Sequence, residues 1–414
     1  MIHRESSSTA FLSRAGSTAA CLSLFAAIPA TAAEPPYPPS NHDESKVAPY
    51  QLPELLKLTD GTPVTTAQMW QEKRRPELLQ LFRQEVYGVP PPKPENLSFR
   101  VVDTDPKAMD GTATRKQITI SLAQGGETFS FQLTLFIPNR KTAPSPVFLL
   151  LNHRGPENAD PTRSNKSGFW PAETAIARGY AIAALNVSAE VEPDEKNAST
   201  GLRIFYKKHD PRADEFTRGA LAAWSWAGSR AMDYFETDAD INPKQVAVVG
   251  HSRSGKAALW AAAQDTRFAL ACVNCAGEGG PALTRRNYGE TLQRITTNFP
   301  YWFTPKYATY VGRVDSLPID QHELVALVAP RGYHGGDAKN DYHADPRGAW
   351  LALVEASRVW ALSGKAAALT DEMPATGKLL IDGPLAYHIR EGGHDLNAIN
   401  WKNYFDHADQ LFAR

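Results

Sequence analysis

The sequence predicts an α/β protein with a three-layer architecture, in which helices cover both faces of a mixed, mostly parallel sheet. From about residue 146 onward, short apolar stretches alternate with stretches of helical spacing, which is typical of βα units. Before that point, residues 116–122 and 128–137 alternate between apolar and polar side chains on either side of Gly125 and Gly126. This pattern predicts an antiparallel hairpin at one side of the sheet.

The individual elements follow from short apolar runs, helical spacing and turn residues. In the βα part we predict strands at 147–151, 180–186, 246–249, 268–273, 324–329 and 379–381. We predict helices at 172–178, 217–235, 257–263 and 349–362. An amphipathic helix is also expected at 76–87, where Pro76 suits the first turn and Pro90 prevents continuation.

Composition limits the classes of function. The chain has 414 residues, of which 42% are hydrophobic, so it can bury a large core. Its formal net charge of −1 gives no reason to expect nucleic acid or a membrane as a partner. Cys272 and Cys275 are three apart on a predicted strand, so their side chains should face opposite sides, and we expect neither a disulfide nor a shared metal site.

The first 32 residues have the pattern of a secretory signal peptide. Arg4 and Arg14 supply positive charge, residues 19–28 form a short apolar run, and Ala30-Thr31-Ala32 fits a cleavage site. We therefore expect a secreted or periplasmic protein. Residues 33–96 are assigned to a Pro-rich tail and a helical extension, and residues 97–414 to a single α/β domain.

A candidate nucleophile lies in the segment Gly250-His251-Ser252-Arg253-Ser254-Gly255-Lys256. The apolar run before it and the Ala-rich run after it predict a strand, a sharp turn and a helix, which is the setting of a nucleophile elbow. Ser252 would be the nucleophile. The usual pattern is Gly-x-Ser-x-Gly, but here Ser254 occupies the second glycine position and Gly255 comes one residue later. The alternative is a chance serine in an ordinary turn.

If the elbow exists, a Ser–acid–His triad of the α/β-hydrolase order requires a histidine after the last strand. His394 follows two glycines in Glu391-Gly392-Gly393-His394-Asp395, so the backbone is free to form a loop there. His388 is the rival, but it lies in a more strand-like segment. In this interpretation His394 accepts the proton of Ser252 and returns it to a leaving alcohol.

The elbow resembles the Gly-x-Ser-Arg-x-Gly-Lys motif of the glucuronoyl esterases, carbohydrate esterase family fifteen. Segments similar to bacterial members follow in the same order: 276–280, 285–290, 299–303, 317–322 and 391–395. The resemblance implies an α/β-hydrolase catalytic domain at 97–414. It also implies cleavage, without a metal or other cofactor, of the ester between the 4-O-methyl-glucuronic acid of xylan and a lignin alcohol. The implied partner is therefore plant glucuronoxylan or a lignin–carbohydrate ester.

The resemblance also implies roles for residues near the elbow. Arg253 would stabilise the oxyanion, while Lys256 and Glu290 would bind the sugar. His343 stands where the family usually has a sugar-contacting Trp, so another aromatic residue, Trp170 or Trp302, could make that contact. Otherwise Arg253 and Lys256 could be a solvated helix start, and Glu290 an ordinary surface charge.

The acid of the triad is open between three carboxylates. Fungal members have a Glu at the position that aligns with Cys275, and a thiol is a poor partner for a histidinium. Some bacterial members have an Asp in a later loop, which here is Asp341. We expect Asp341 to be the acid, with Glu278 and Asp345 as rivals.

Two other functions are compatible with the sequence. One is a different carbohydrate esterase on the same fold, such as an acetyl-xylan deacetylase. The other is a non-catalytic carbohydrate-binding relative, which Cys275 and His343 suggest and Ser252 and His394 oppose. We expect a monomer.

Overall fold

The computed structural model of the protein describes residues 40–209, 219–365 and 369–412. The predicted signal peptide lies outside these residues. Within them, none of the helices combines the length and the apolar character that crossing a membrane requires.

A ten-stranded sheet forms the centre of the protein. The strands are β1 (Leu97–Lys107), β2 (Ala113–Gln124), β3 (Glu127–Pro138), β4 (Ser145–Asn152), β5 (Ala181–Asn186), β6 (Ile241–His251), β7 (Leu270–Asn274), β8 (Gly332–Ala338), β9 (Leu379–Asp382) and β10 (Leu385–Arg390). Their order across the sheet is β1-β2-β3-β5-β4-β6-β7-β8-β10-β9. The strands from β5 to β10 in this order are parallel, and the pairs at both edges are antiparallel.

Helices cover both faces of the sheet. The α-helices of six or more residues in the described chain are Arg75–Phe82, Ala172–Ala177, Leu202–His209, Ala220–Phe235, Arg253–Gln264, Leu292–Asn298, Gln321–Ala326, Pro346–Ala361 and Ala398–Leu411. Along β4, Leu149 and Leu151 belong to one apolar cluster, while Phe148 and Leu150 belong to a second. Because neighbouring residues of a strand face opposite ways, these clusters lie on the two faces of the sheet. The predicted three-layer α/β architecture and its mixed sheet are confirmed.

The predicted strand at 324–329 is wrong. Residues Gln321–Ala326 form a helix, because Asp320 and Glu323 make a capping box at its start. The strand of this region is β8, whose glycines concealed it. A Cβ on Gly336 would lie 2.6 Å from the ring of His388 on the adjacent β10. Glycine is therefore required where large side chains of β10 pack across β8.

Elements at both ends of the sheet were not predicted from the sequence. β1 lacks a strong apolar alternation, because most of its residues are exposed. Residues 379–381 were predicted as the last strand, whereas β9 is followed by β10 and the helix Ala398–Leu411. The predicted hairpin is confirmed as β2 and β3, paired in register through the turn at Gly125 and Gly126.

The helical extension packs against the helix that follows the elbow. Helical structure begins at Ala67, before the predicted start, and passes through a wide π-turn at Trp70–Arg74 before Pro76. Tyr87, at the end of this region, stacks on Trp260 with ring centroids 4.5 Å apart. The side chains of Arg74 and Glu323 form a buried ion pair at 2.7 Å.

Candidate active site

Ser252 lies in a strained turn between β6 and the helix Arg253–Gln264. Its backbone has φ 55° and ψ −127°, which non-glycine residues rarely adopt. The Ser252 N–H donates to the carbonyl of Asn274 on the neighbouring β7 at 2.9 Å. This bond ties the turn to the sheet, and the side chain of Ser252 remains partly exposed at the carboxyl edge.

Two glycines allow the close approach of strand and helix. A Cβ on Gly250 would lie 2.0 Å from the carbonyl oxygen of Ser254. A Cβ on Gly255 would lie 2.9 Å from that of Ala276 and 3.1 Å from the Asn274 carbonyl oxygen. Gly255, one residue later than the usual pattern, is therefore the glycine that lets the helix contact the segment after β7.

Ser254 is fully buried and joins the elbow to the neighbouring strand. Its hydroxyl donates to the carbonyl of His251 at 3.0 Å and lies 3.0 Å from Nδ1 of His153, which follows β4. Burial and the nearby cations, first among them Arg253, hold the pKa of His153 well below its usual range. His153 is therefore a neutral imidazole beside the elbow.

His394 and Asp341 lie together beyond the ends of two adjacent strands. Nδ1 of His394, after β10, is 2.6 Å from Oδ2 of Asp341, after β8. Asp341 is almost fully buried, whereas 40% of the His394 side chain is exposed. A buried carboxylate that accepts from Nδ1 fixes the imidazole tautomer with Nε2 free to accept a proton.

His394 also approaches the elbow through a ring contact. Its ring centroid lies 4.5 Å from that of His251, the residue before Ser252. Among the described residues, Ser252 Oγ has no hydrogen bond to His394. Such bonds often form at full strength only when substrate is bound.

The rival residues have other partners. Glu278 accepts hydrogen bonds from Tyr307 and Thr284, and burial raises its pKa to about 8. Asp345 caps the helix Pro346–Ala361 and pairs with Arg286 at 2.9 Å.

The rival histidine is also held away from the site. His388 is buried between His334 and Asn400, each 2.9 Å from one of its ring nitrogens, and burial lowers its pKa to about 3.

Cys275 follows β7 and lies beside the Asp341–His394 pair. One ligating atom of each of these three residues lies within 4.8 Å of the other two. Burial raises the pKa of the Cys275 thiol well above its usual range, so it is uncharged at neutral pH. Cys272 and Cys275 are both free thiols.

Lys256, Glu290 and His343 form a connected group one helical turn from Ser252. Nζ of Lys256 lies 2.8 Å from Oε2 of Glu290 and donates to the Ala276 carbonyl at 2.6 Å. Nε2 of His343 lies 3.4 Å from the other oxygen of Glu290. Although burial acts to raise the pKa of Glu290, Lys256 and His343 lower it to about 2. Glu290 is therefore a buried, ionised carboxylate and not a surface charge.

The guanidinium of Arg253 is held by Asp194 and Trp302. It pairs with Asp194 and lies 4.8 Å above the ring of Trp302, whose Nε1 donates to Asp194 at 2.7 Å. Trp170 is fully buried against Phe136 and cannot be a surface contact for a sugar. As the first helical residue, Arg253 has a backbone N–H without an intrahelical acceptor.

Comparison with known proteins places this arrangement in a family. Residues 120–364 match the model of fungal glucuronyl esterases. The chain is 40% identical, over 89% of its length and 91% of the relative, to carbohydrate esterase MZ0003 from an unknown prokaryotic organism. The chain belongs to the glucuronoyl esterase family.

Other relatives agree with this assignment. A 4-O-methyl-glucuronoyl methylesterase of Schizophyllum commune is 32% identical over 68% of the chain and 65% of the relative. The solved glucuronoyl esterase from Solibacter usitatus superposes with a TM-score of 0.83 at 36% identity, covering 89% of the chain and all of that structure. A solved structure of a promiscuous CE15 esterase from a marine bacterial metagenome superposes with a TM-score of 0.82 at 39% sequence identity. The match covers 90% of the chain and all of that structure. The chain is therefore a carboxylic ester hydrolase with the α/β-hydrolase fold.

Neither Asp194 nor His153 of this esterase was predicted as a site residue from the sequence. His153 had a usable signal, since it directly follows β4, which pairs with the elbow strand β6 in parallel. The carboxyl ends of such strands share one edge of the sheet. Asp194 follows the π-turn Val187–Val191 in an irregular segment, and no pattern in the sequence brings it to Arg253.

Proposed function

We propose that the esterase cleaves the ester between the 4-O-methyl-glucuronic acid of xylan and a lignin alcohol. The observation that supports this substrate is the buried ion pair of Lys256 and Glu290 beside the elbow. A polar pair of this kind, with its charges compensated, can bind the hydroxyls of a neutral sugar ester. Relatives of the chain are 4-O-methyl-glucuronoyl methylesterases.

In the proposed mechanism, Ser252, His394 and Asp341 form the triad. Oγ of Ser252 attacks the ester carbonyl while Nε2 of His394 takes its proton. Asp341 accepts from Nδ1–H and stabilises the imidazolium that forms. His394 then gives the proton to the leaving alcohol, and a water molecule repeats the sequence to release the uronic acid.

The oxyanion of this reaction would be bound at the start of the elbow helix. The backbone N–H of Arg253 is free there, and the positive end of the helix dipole favours negative charge. The guanidinium of Arg253 adds positive charge close by, although its pairing with Asp194 restrains it. The helix start and the positive charge of Arg253 therefore act on the charge that develops in the transition state.

Sugar recognition would fall to Lys256, Glu290 and His343. Of the two aromatic candidates in place of the family Trp, Trp302 lies against the cations of the elbow helix, with Nζ of Lys256 5.8 Å from its ring. It is itself only 2% exposed and is better suited to support Arg253 and Lys256 than to stack on a sugar. His343, with 40% of its side chain exposed, would face the substrate.

A second candidate is a wider carbohydrate esterase activity, such as deacetylation of xylan. The presence of His343 at the position of the usual Trp favours it, because a smaller ring restricts the pocket less. The similar metagenomic enzyme is described as promiscuous.

The decisive experiment compares hydrolysis of a methyl ester of 4-O-methyl-glucuronic acid with that of acetylated xylan. We expect kcat/KM to be higher for the uronate ester and to be lost in Ser252→Ala. Activity on acetyl esters alone would favour the second candidate. Binding of xylan oligomers without hydrolysis of any ester would overturn both.

We also propose that the protein is exported, acts on plant cell-wall glucuronoxylan or lignin–carbohydrate esters, and works as a monomer. Residues 1–32 carry the pattern of a signal peptide. Mass spectrometry of the protein from the culture medium or periplasm tests the first point, since the mature chain should begin at about residue 33. Light scattering tests whether the protein is a monomer.

A further inference from the structure

Side chains of three chemical types meet where β7, β8 and β10 end. The Cys275 thiol, the Asp341 carboxylate and the His394 imidazole each place a ligating atom within 4.8 Å of the other two. Cys275 is 2% and Asp341 4% exposed, so both are shielded from bulk water. His394 is the exposed member and forms the entrance to the group.

The backbone of Cys275 is fixed in an unusual conformation. Its φ is 45°, in the left-handed region that costs energy for a side chain with a Cβ. Its N–H donates to the carbonyl of Gly336 on β8 at 2.8 Å, which holds this turn to the sheet. Cys272, by contrast, packs within an apolar cluster on one face of the sheet.

We propose that Cys275, Asp341 and His394 form a binding site for a thiophilic divalent cation such as Zn²⁺, and that the bound cation inhibits ester hydrolysis. Sulfur, imidazole nitrogen and carboxylate oxygen are the donors that Zn²⁺ prefers. In a tetrahedral zinc site these atoms lie about 3.3–3.8 Å apart. The pair of Asp341 and His394 would open by under about 1 Å from its present 2.6 Å.

Inhibition follows from the atom that the cation occupies. Cys275 loses its thiol proton to solvent and binds as the thiolate. Nδ1 of His394 must offer its lone pair, so the imidazole proton moves from Nδ1 to Nε2. A protonated Nε2 cannot accept the proton of Ser252. This consequence rests on the proposed function, whereas the binding itself does not.

The test uses Cd²⁺, whose bond to a thiolate absorbs in the ultraviolet, together with Zn²⁺ in the ester assay. We expect one equivalent of Cd²⁺ to give this absorbance in the native enzyme, in Cys272→Ser and in Ser252→Ala. Cys275→Ser should abolish it, and His394→Ala should weaken Cd²⁺ affinity at least about tenfold. Zn²⁺ should inhibit the native enzyme and Cys272→Ser reversibly, with a chelator restoring activity.

The proposal is overturned if Cys275→Ser shows the same inhibition constant for Zn²⁺ as the native enzyme, each measured against its own metal-free rate. It is also overturned if the Cd²⁺ absorbance is absent from the native enzyme or follows Cys272. Because His394 is exposed, His394→Ala should fold. It therefore provides a valid test of Cd²⁺ binding even if Cys275→Ser fails to fold. The absorbance of Ser252→Ala reports binding even if the proposed substrate is wrong.

Discussion

Nδ1 of His394 lies 2.6 Å from Oδ2 of Asp341, at the ends of the adjacent parallel strands β10 and β8. The contact joins residues 53 positions apart in the sequence. It distinguishes Asp341 from the other two candidate acids, because Glu278 and Asp345 are bound to residues outside the site.

Replacing Asp341 should therefore damage catalysis, whereas replacing Asp345 should damage stability. In Asp341→Asn the amide no longer fixes the reactive tautomer of His394, and we expect kcat to fall by about 10³-fold or more. Asp345→Asn removes one of the two carboxylates that pair with buried Arg286, while Glu44 remains, so it should cost on the order of 1–3 kcal/mol of unfolding free energy. Steady-state kinetics and urea unfolding separate the two effects. Comparable losses of kcat in both variants would contradict the assignment.

Replacing Ser252 should reduce kcat far more than replacing Ser254. Ser252→Ala removes the proposed nucleophile, so kcat should fall by about 10⁴-fold or more. Ser254→Ala removes a buried hydroxyl that bonds to His251 and contacts His153, and we expect a loss of less than about tenfold together with reduced stability. Burst kinetics with a chromogenic ester measures both. If Ser252→Ala retained the native burst, another nucleophile would be at work.

Glu278 should make the free energy of unfolding fall as the pH rises from about 4.5 to about 8. Burial raises its pKa from 4.5 to about 8, so the folded state keeps a proton that the unfolded chain loses. Its contribution is complete below pH 4.5 and is lost as the pH rises through 8. Relative to Glu278→Gln, the native protein should lose on the order of 3 kcal/mol between pH 5 and pH 9. Urea unfolding at both pH values measures this difference, with Glu372→Gln as an exposed control. If the native protein and Glu278→Gln lost the same stability between the two pH values, the prediction would be wrong.

His343→Trp should improve sugar binding. A flat indole at this exposed position supplies the aromatic sugar contact that the family resemblance implies there, so KM for the uronate ester should fall several-fold while kcat changes little. His343→Phe provides an aromatic control without a polar edge. An unchanged KM in both variants would show that residue 343 does not contact the sugar.

The helical extension should stabilise the elbow helix. Tyr87 stacks on Trp260 and its hydroxyl donates to the carbonyl of Gly279 at 2.6 Å. Tyr87→Phe should cost about 1 kcal/mol, and Tyr87→Ala about 3–5 kcal/mol. Thermal unfolding measures both. Loss of stability without this ranking would mean that the stacked rings are not the main contribution.

The sequence predicted the parts of the fold that depend on local patterns. The β2–β3 hairpin, the elbow strand and its helix each have a clear local pattern, and the neighbours of Ser252 alone predict it as the candidate nucleophile. β8 was not predicted as a strand, because its glycines make room for His388 and Tyr387. This requirement is set by β10, a strand about 50 residues away. A strand is predicted from a run of apolar side chains, and residues 324–329 form such a run, so they were predicted as the strand instead.

In the candidate site, too, only features that depend on local spacing could be predicted from the sequence. The spacing of Lys256 from Ser252 on one helix predicts that the two residues lie close together. The pairing of Arg253 with Asp194 depends on a segment without regular structure, so the sequence offered no means to find it. The choice among three acids likewise required the positions of the strand ends in space.

The adjacency of β7, β8 and β10 bears on how such esterases diverge. Residue 275, which the family resemblance aligns with a glutamate of fungal members, and residue 341 both place a side-chain atom within 4.8 Å of a ring nitrogen of His394. In the proposed triad, a carboxylate at either position would face the same imidazole. The acid can then change its place in the sequence through a form with carboxylates at both positions, without an inactive intermediate, because the histidine it serves does not move.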